Sequence, residues 1–207
     1  MARKTKTTKS SRPEPTLDAL VEAMLAAAEA EGWSGLTMAT IAARAEAPLA
    51  AALALAPGKL RLLKAYTRRI DAAVVAGSAA PAADESARDR LFDVLMRRFD
   101  AMQPDRPALR RIAGDLRRDP LSALCLAPRV MAAMALMLEC AGIDASGPGG
   151  RLRAKGLAAV YGAALRAWFD DDSADLAKTM SALDRALARA ERAAALLWPA
   201  RHGGETE

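Results

Sequence analysis

Little in this chain is suited to catalysis. It has one histidine, His202, in the polar run after Trp198-Pro199. It has two cysteines, Cys125 and Cys140, in apolar surroundings and without metal-ligand spacing. That leaves almost no material for a zinc site or a nucleophile–base pair. The expectation is a non-enzyme with no cofactor, no metal, and reduced, buried thiols in the cytoplasm. Asp170-Asp171-Asp172 reads as helix-capping charge rather than as a metal cluster. Aromatics make up only 4% of the residues, and valine, isoleucine and threonine are sparse. Strand-like alternation of useful length is missing, so a β-sheet is excluded in favour of an all-α fold. No apolar run approaches the eighteen or so residues of a membrane span. The N-terminus is basic and polar without an apolar stretch, which argues against a secretory signal.

What the chain does have is alanine, charge and helical periodicity. Of its 207 residues, 52% are hydrophobic and 27% charged, with net charge +5. Residues 1–14 hold Arg3, Lys4, Lys6, Lys9 and Arg12 against Glu14, so most of the excess lies in that arm. Such an arm suits phosphates on DNA or on an anionic membrane, and equally a solubilising tail.

Apolar residues from Leu17 to Ala28 recur at helical spacing between an N-cap, Thr16, and a stop, Gly32. Thr37 caps a second helix with Met38, Ile41, Ala42 and Ala45 on one face. "EAPLAAALALAPGK" follows, with Pro48 placed to open a helix. A longer helix comes after Pro57, and "AGSAAPAADES" is a loop. "RDRLFDVLMRRFDAM" and a Pro-bounded shorter helix lead to "PRVMAAMALMLECAG", a helix predicted to start at Pro128. "GIDASGPGG" is the clearest break. Two long helices close the chain, from about Gly150 to Phe169 and from a cap at Ser173. The last carries Leu176, Met180, Leu183, Leu187, Ala190, Ala194 and Leu197 in steps of 4 and 3, the rhythm of a helix–helix seam. That seam can pack within one chain or between two.

"AAAEAEGW", Thr37, Ile41-Ala42, Pro57-Gly58-Lys59 and Leu62-Leu63 together resemble the TetR family of one-component transcription regulators. The resemblance implies about nine helices: a disordered basic arm over 1–14, a three-helix helix-turn-helix head over 15–76, a helical ligand-binding and dimerisation body over 84–198, and a disordered tail over 199–207. It implies a DNA-binding regulator that responds to an apolar small ligand. Candidate DNA contacts are Lys4, Lys6, Thr37, Arg44 and Lys59. Candidate pocket residues are Leu95, Phe99, Met131, Met134, Met137, Tyr161 and Trp168, for which an ordinary core is the other reading. A homodimer would form through Leu157, Leu165, Met180, Leu183, Leu187, Ala190 and Ala194.

The recognition element departs from that pattern. Relatives have a Gly-hydrophobe-Ser turn where this chain has Glu46-Ala47-Pro48, and the missing glycine removes easy access to positive φ. Leu49 to Ala56 are all alanine or leucine. Base readout needs hydrogen-bond donors and acceptors, so any DNA would be held through phosphates, with low specificity. "VYGAALRAWFDDDSADLAKTMSALDR" is in turn similar to the lipid-binding accessory protein of ubiquinone biosynthesis, matching at Tyr161, Asp171-Asp172-Ser173, Asp175, Thr179, Leu183 and Arg185. That resemblance implies the alternative of a lipid- or isoprenoid-binding accessory on the same fold, with peripheral membrane contact and no DNA reading.

Overall fold

The computed structural model describes residues 15–78 and 84–197. The expected arm at 1–14 and tail at 199–207 lie outside those residues, as do Lys4, Lys6 and part of the 77–83 loop. The described residues form nine α-helices and no strand: α1 Leu17–Glu31, α2 Met38–Arg44, α3 Leu49–Leu55, α4 Lys59–Ala76, α5 Ala87–Met102, α6 Arg106–Leu116, α7 Pro120–Cys140, α8 Gly147–Phe169 and α9 Ala177–Leu197. A single 3-10 turn, Gln103–Asp105, joins α5 to α6.

Local chemistry starts and stops these helices. Thr16 accepts the Ala19 N–H at 3.1 Å and Thr37 accepts that of Thr40 at 3.2 Å, so each satisfies an otherwise orphaned donor. Gly32 ends α1 at φ 87°, where a side chain would be strained. Helices α2 and α3 meet at a bend of 110°, within the range of a helix-turn-helix. Pro48 caps α3, and Leu49 takes the first helical position.

The α2–α3 turn is a Schellman motif: the Ala47 N–H reaches Ala42 O at 2.8 Å and the Glu46 N–H reaches Ala43 O at 3.1 Å. The motif needs its C′ residue in the left-handed region, and Glu46 sits at φ 52°. The backbone therefore takes the positive φ without the glycine that eases it. The same motif closes α7, with Ile143 N–H on Leu138 O and Gly142 N–H on Glu139 O, both 2.9 Å, but with a glycine at φ 68°.

Helix α1 packs on α2, α4 and α6, and α4 runs from that head onto α5 and α7. Helices α7, α8 and α9 pack in sequence, and α9 returns to α5. Leu20, Met24, Ile41 and Leu62 fill the head, and Leu95, Phe99, Met134, Met137, Trp168 and Leu183 the body.

Several expectations need correction. Helix α7 begins at Pro120, eight residues before the predicted start: Asp119 accepts the Ser122 N–H at 3.0 Å, Pro120 occupies the first turn, and Pro128 is carried inside. An 18-residue window of α7 has mean hydropathy 1.9, long and apolar enough to cross a membrane, although no unbroken apolar run shows it; only 22% of that window is buried. The cysteines are free but not buried, with Cys125 exposed on α7 and Cys140 half-buried. The Gly147-Pro148-Gly149-Gly150 run lies inside α8 rather than in the break before it.

Candidate functional site

In the head, the outward side of α3 is apolar. Leu49, Leu53 and Leu55 are exposed, while Ala52 and Ala56 face the core. All seven α3 residues are alanine or leucine, so α3 has no side-chain donor or acceptor to present to a base edge.

Of the cations expected to meet phosphate, the two described, Arg44 and Lys59, are already engaged. Lys59 Nζ donates to Trp33 O at 2.6 Å and stands 4.8 Å over the Trp33 ring. Burial pushes its pKa down, and Asp115 and Asp119 work against that fall. Across the same turn, an Asp115 Oδ accepts the N–H groups of Trp33 at 2.8 Å and Ser34 at 2.9 Å. Those backbone bonds, Ser34 first, hold the Asp115 carboxyl below its ordinary value. The Trp33–Ser34 turn of the head is thus clamped between α4 and α6. Arg44 pairs with Glu31 at 3.0 Å on the surface, and the Thr37 hydroxyl is committed to capping α2.

Six of the seven expected pocket residues, all but Met131, belong to the packed core or lie against it. Phe99 stacks on Tyr161 with centroids 5.4 Å apart and meets Trp168 at 5.8 Å, and the Trp168 N–H donates to Gln103 Oε1 at 2.9 Å. Leu95, Met134 and Met137 are fully buried, and Met131 and Tyr161 half-buried. None of the seven lines either of the two best-formed cavities among the described residues. The apolar cavity lies beside that core, between α5, the end of α7, α8 and the end of α9. Its volume is about 510 Å³. Leu91, Leu138, Leu157, Val160 and Leu187 wall it, and Arg88, Arg153 and Glu191 are the charged residues beside it. Arg88 pairs with Asp184 at 2.6 Å and Arg153 with Asp144 at 3.8 Å.

The dimer-interface set divides. Leu157, Leu183 and Leu187 are buried within the chain, because α9 lays its 4-and-3 seam on α8 and α5; they are withdrawn as interface residues. Leu165, Met180 and Ala190 are half-buried, and Ala194 is exposed. Leu157, Leu187, Ala190 and Ala194 turn out to line the cavity. Gly149 and Gly156 of α8 and Ala193 and Ala194 of α9 are among its walls, and their small size leaves the space open.

The Asp-Ser-x-Asp stretch is a cap. Asp171 accepts from the Thr179 N–H and hydroxyl, each at 2.7 Å, and from the Ser173 N–H and hydroxyl. Ser173 Oγ accepts the Ala177 N–H at 3.0 Å, opening α9. Burial raises the Asp171 pKa, but these bonds outweigh it and hold the carboxyl well below the usual range. Asp170 pairs with Arg110 at 2.9 Å and Asp172 with Arg106 at 3.8 Å.

No protein-family model matches the chain, and no curated protein matches it. Solved structures do. A TetR transcriptional regulator from Nitrosomonas europaea superimposes with TM-score 0.68 at 22% identity, over 86% of this chain and 99% of that one. A TetR transcriptional regulator from Rhodococcus sp. RHA1 does so with TM-score 0.62 at 18% identity, over 84% and 93%. With its helix-turn-helix head and helical body, the chain has the fold of the TetR transcriptional regulators.

Proposed function

We propose that the protein is a homodimeric TetR-type regulator that takes an apolar small molecule in its body and holds DNA mainly through phosphates, with low sequence specificity. The observation that carries this reading is the apolar cavity of about 510 Å³ in a body of regulator fold, a size typical of small-ligand sites. A nonpolar ligand there touches α5, α8 and α9 at once, so it can favour one arrangement of the body over another and thereby shift head spacing. The sides of α8 and α9 that carry the half-buried Leu165 and Met180, away from the cavity, are the proposed dimer face. The test is DNA binding by the full chain, against its own upstream region and random duplex, at about 100 mM salt. Binding to both with a slight preference for the first, altered by an apolar ligand, supports the reading; no binding to either removes it.

The second reading is a lipid- or isoprenoid-binding accessory protein that no longer reads DNA. The exposed leucines of α3 favour it, since nothing in them recognises a base. Native mass spectrometry of freshly purified protein should then show a co-purified isoprenoid or phospholipid. A clean apo spectrum counts against it.

A further inference from the structure

Nine large hydrophobic residues are exposed among the described residues, and five of them belong to two short stretches: Leu49, Leu53 and Leu55 of α3, and Leu121 and Leu124 of α7. The end of α3 and the start of α7 both lie near the Trp33–Ser34 turn. Lys59, four residues past Leu55, binds that turn, as does Asp115, and Asp119 at the start of α7 lies close enough to Lys59 to affect its charge. Leu121 is 71% exposed and Leu124 68%, so the first turns of α7 carry apolar side chains with nothing packed over them.

Cations flank the start of α7. Arg117 and Arg118 immediately precede α7, and both are exposed. Helix α4 runs beside α7 in the same direction, with Lys59 near Asp119 and Arg129 paired to Asp71 and bonded to Thr67 at 3.0 Å. It brings exposed Arg61 and Arg68 and half-buried Lys64 along that flank. Of the carboxylates nearby, Asp115 accepts backbone N–H groups and lies 3.7 Å from Arg118, Asp119 caps α7, and Glu46 precedes α3.

We propose that this face docks on an anionic lipid bilayer. The leucines of α3 and α7 would enter the headgroup–acyl boundary while the arginines and lysines meet lipid phosphates. Charge and chemistry select this occupant. A second copy, related by a two-fold axis, would set the same cations against one another. Duplex DNA would satisfy the cations but desolvate the leucines against a surface with little apolar area to receive them. The inference rests on the second reading, in which α3 no longer meets DNA, and its test is separate from that of the ligand site, because none of these leucines lines the cavity.

The experiment is vesicle flotation of the full chain on phosphatidylcholine vesicles with and without about one third phosphatidylglycerol, at low and high salt. The variants are Leu121→Ser/Leu124→Ser and Arg117→Gln/Arg118→Gln. Leu17→Ser, an exposed leucine on α1, is the control for lost surface hydrophobicity, and Gly156→Leu the control for lipid drawn into the cavity. The expected result is binding to anionic vesicles that salt weakens, reduced at least tenfold by the leucine pair, several-fold by the arginine pair, and unchanged by either control. Failure to bind, or binding that survives the leucine pair, overturns the proposal. So does a leucine pair that leaves vesicle binding intact but abolishes self-association or duplex DNA binding, which would assign the face to a second copy or to nucleic acid.

Discussion

Asp71 of α4 pairs with Arg98 of α5 inside the protein, with the two residues 4% and 3% exposed. Arg129 of α7 reaches the same carboxylate, so one acid holds three helices where the head joins the body. Arg98 Nε, also buried, has no partner, and its guanidinium lies 5.6 Å from the Tyr161 ring centroid. Removing the acid strands two cations. Asp71→Asn should destabilise the fold by about 3–5 kcal/mol, as when one member of a buried ion pair is lost. Urea unfolding checks this, and a change under about 1 kcal/mol would show that the arginines find other partners.

Glu46 occupies the one Schellman position of the head that glycine would fill. A side chain in the left-handed region costs roughly 1–2 kcal/mol, and glycine returns part of that through unfolded-state entropy. Glu46→Gly should therefore stabilise the protein by roughly 0.5–1 kcal/mol, raising Tm by about 1–4 °C. A lower Tm would mean that the contacts of the Glu46 side chain outweigh the backbone strain.

The hydrogen-bonded Asp171 makes the α8–α9 junction sensitive to acid. Its folded pKa is depressed, so its contribution is present above the ordinary carboxylate pKa of about 3.9 and is lost as pH falls below it. Asp171→Ala should lower Tm at pH 7 by a few degrees, about the effect of losing a helix cap. The gap between the two proteins should narrow below about pH 4. A gap constant from pH 7 to pH 3 would contradict the sign.

Two glycines of α8 should respond oppositely to the same substitution. At Gly150, a Cβ would fall 2.0 Å from the backbone of Ala145, so Gly150→Ala must displace the loop before α8 and destabilise the protein. At Gly156, a Cβ meets nothing within 4 Å. Gly156→Ala should gain roughly 0.5–1 kcal/mol of helix stability. Gly156→Leu should fill the cavity and abolish binding of an apolar fluorescent probe, with the circular dichroism of a folded chain retained.

Among head cations, Arg44 should matter more for DNA than Lys59. The surface pair of Arg44 with Glu31 is worth little and exchanges readily for a phosphate. Lys59 is held against Trp33, and freeing it would open the clamp between head and body. Arg44→Ala should reduce duplex affinity with Tm unchanged, while Lys59→Ala should chiefly lower Tm. Fluorescence anisotropy and a thermal melt on each variant decide the order.

Much of the architecture was written locally. Thr16, Thr37 and Gly32 mark their helix ends through hydrogen bonds and φ angles that depend on residues three or four positions away. The alanine-rich composition with apolar steps of 3 and 4 carries the all-α assignment for the same reason. The start of α7 was missed because Pro128 signals a beginning in sequence, whereas the Asp119 cap and the packing of α7 against α4 and α8 carry the helix through it.

The candidate site was less legible, because side-chain periodicity says which residues share a face but not what the face meets. Leu183 and Leu187 stand on a seam by sequence alone, and only the packing of α9 on α8 and α5 turned that seam inward. Phe99, Tyr161 and Trp168 look like pocket walls until their rings are found against each other. The cavity is a volume left over between four helices, and no local spacing encodes it. The emptiness of α3 as a reader was determined by sequence alone, since seven residues without polar side chains have no base to address in any fold. That Lys59 is bonded to the Trp33–Ser34 turn, near the start of α7, was decided by tertiary structure, which brings Trp33, Lys59, Asp115 and Asp119 together from distant points on the chain.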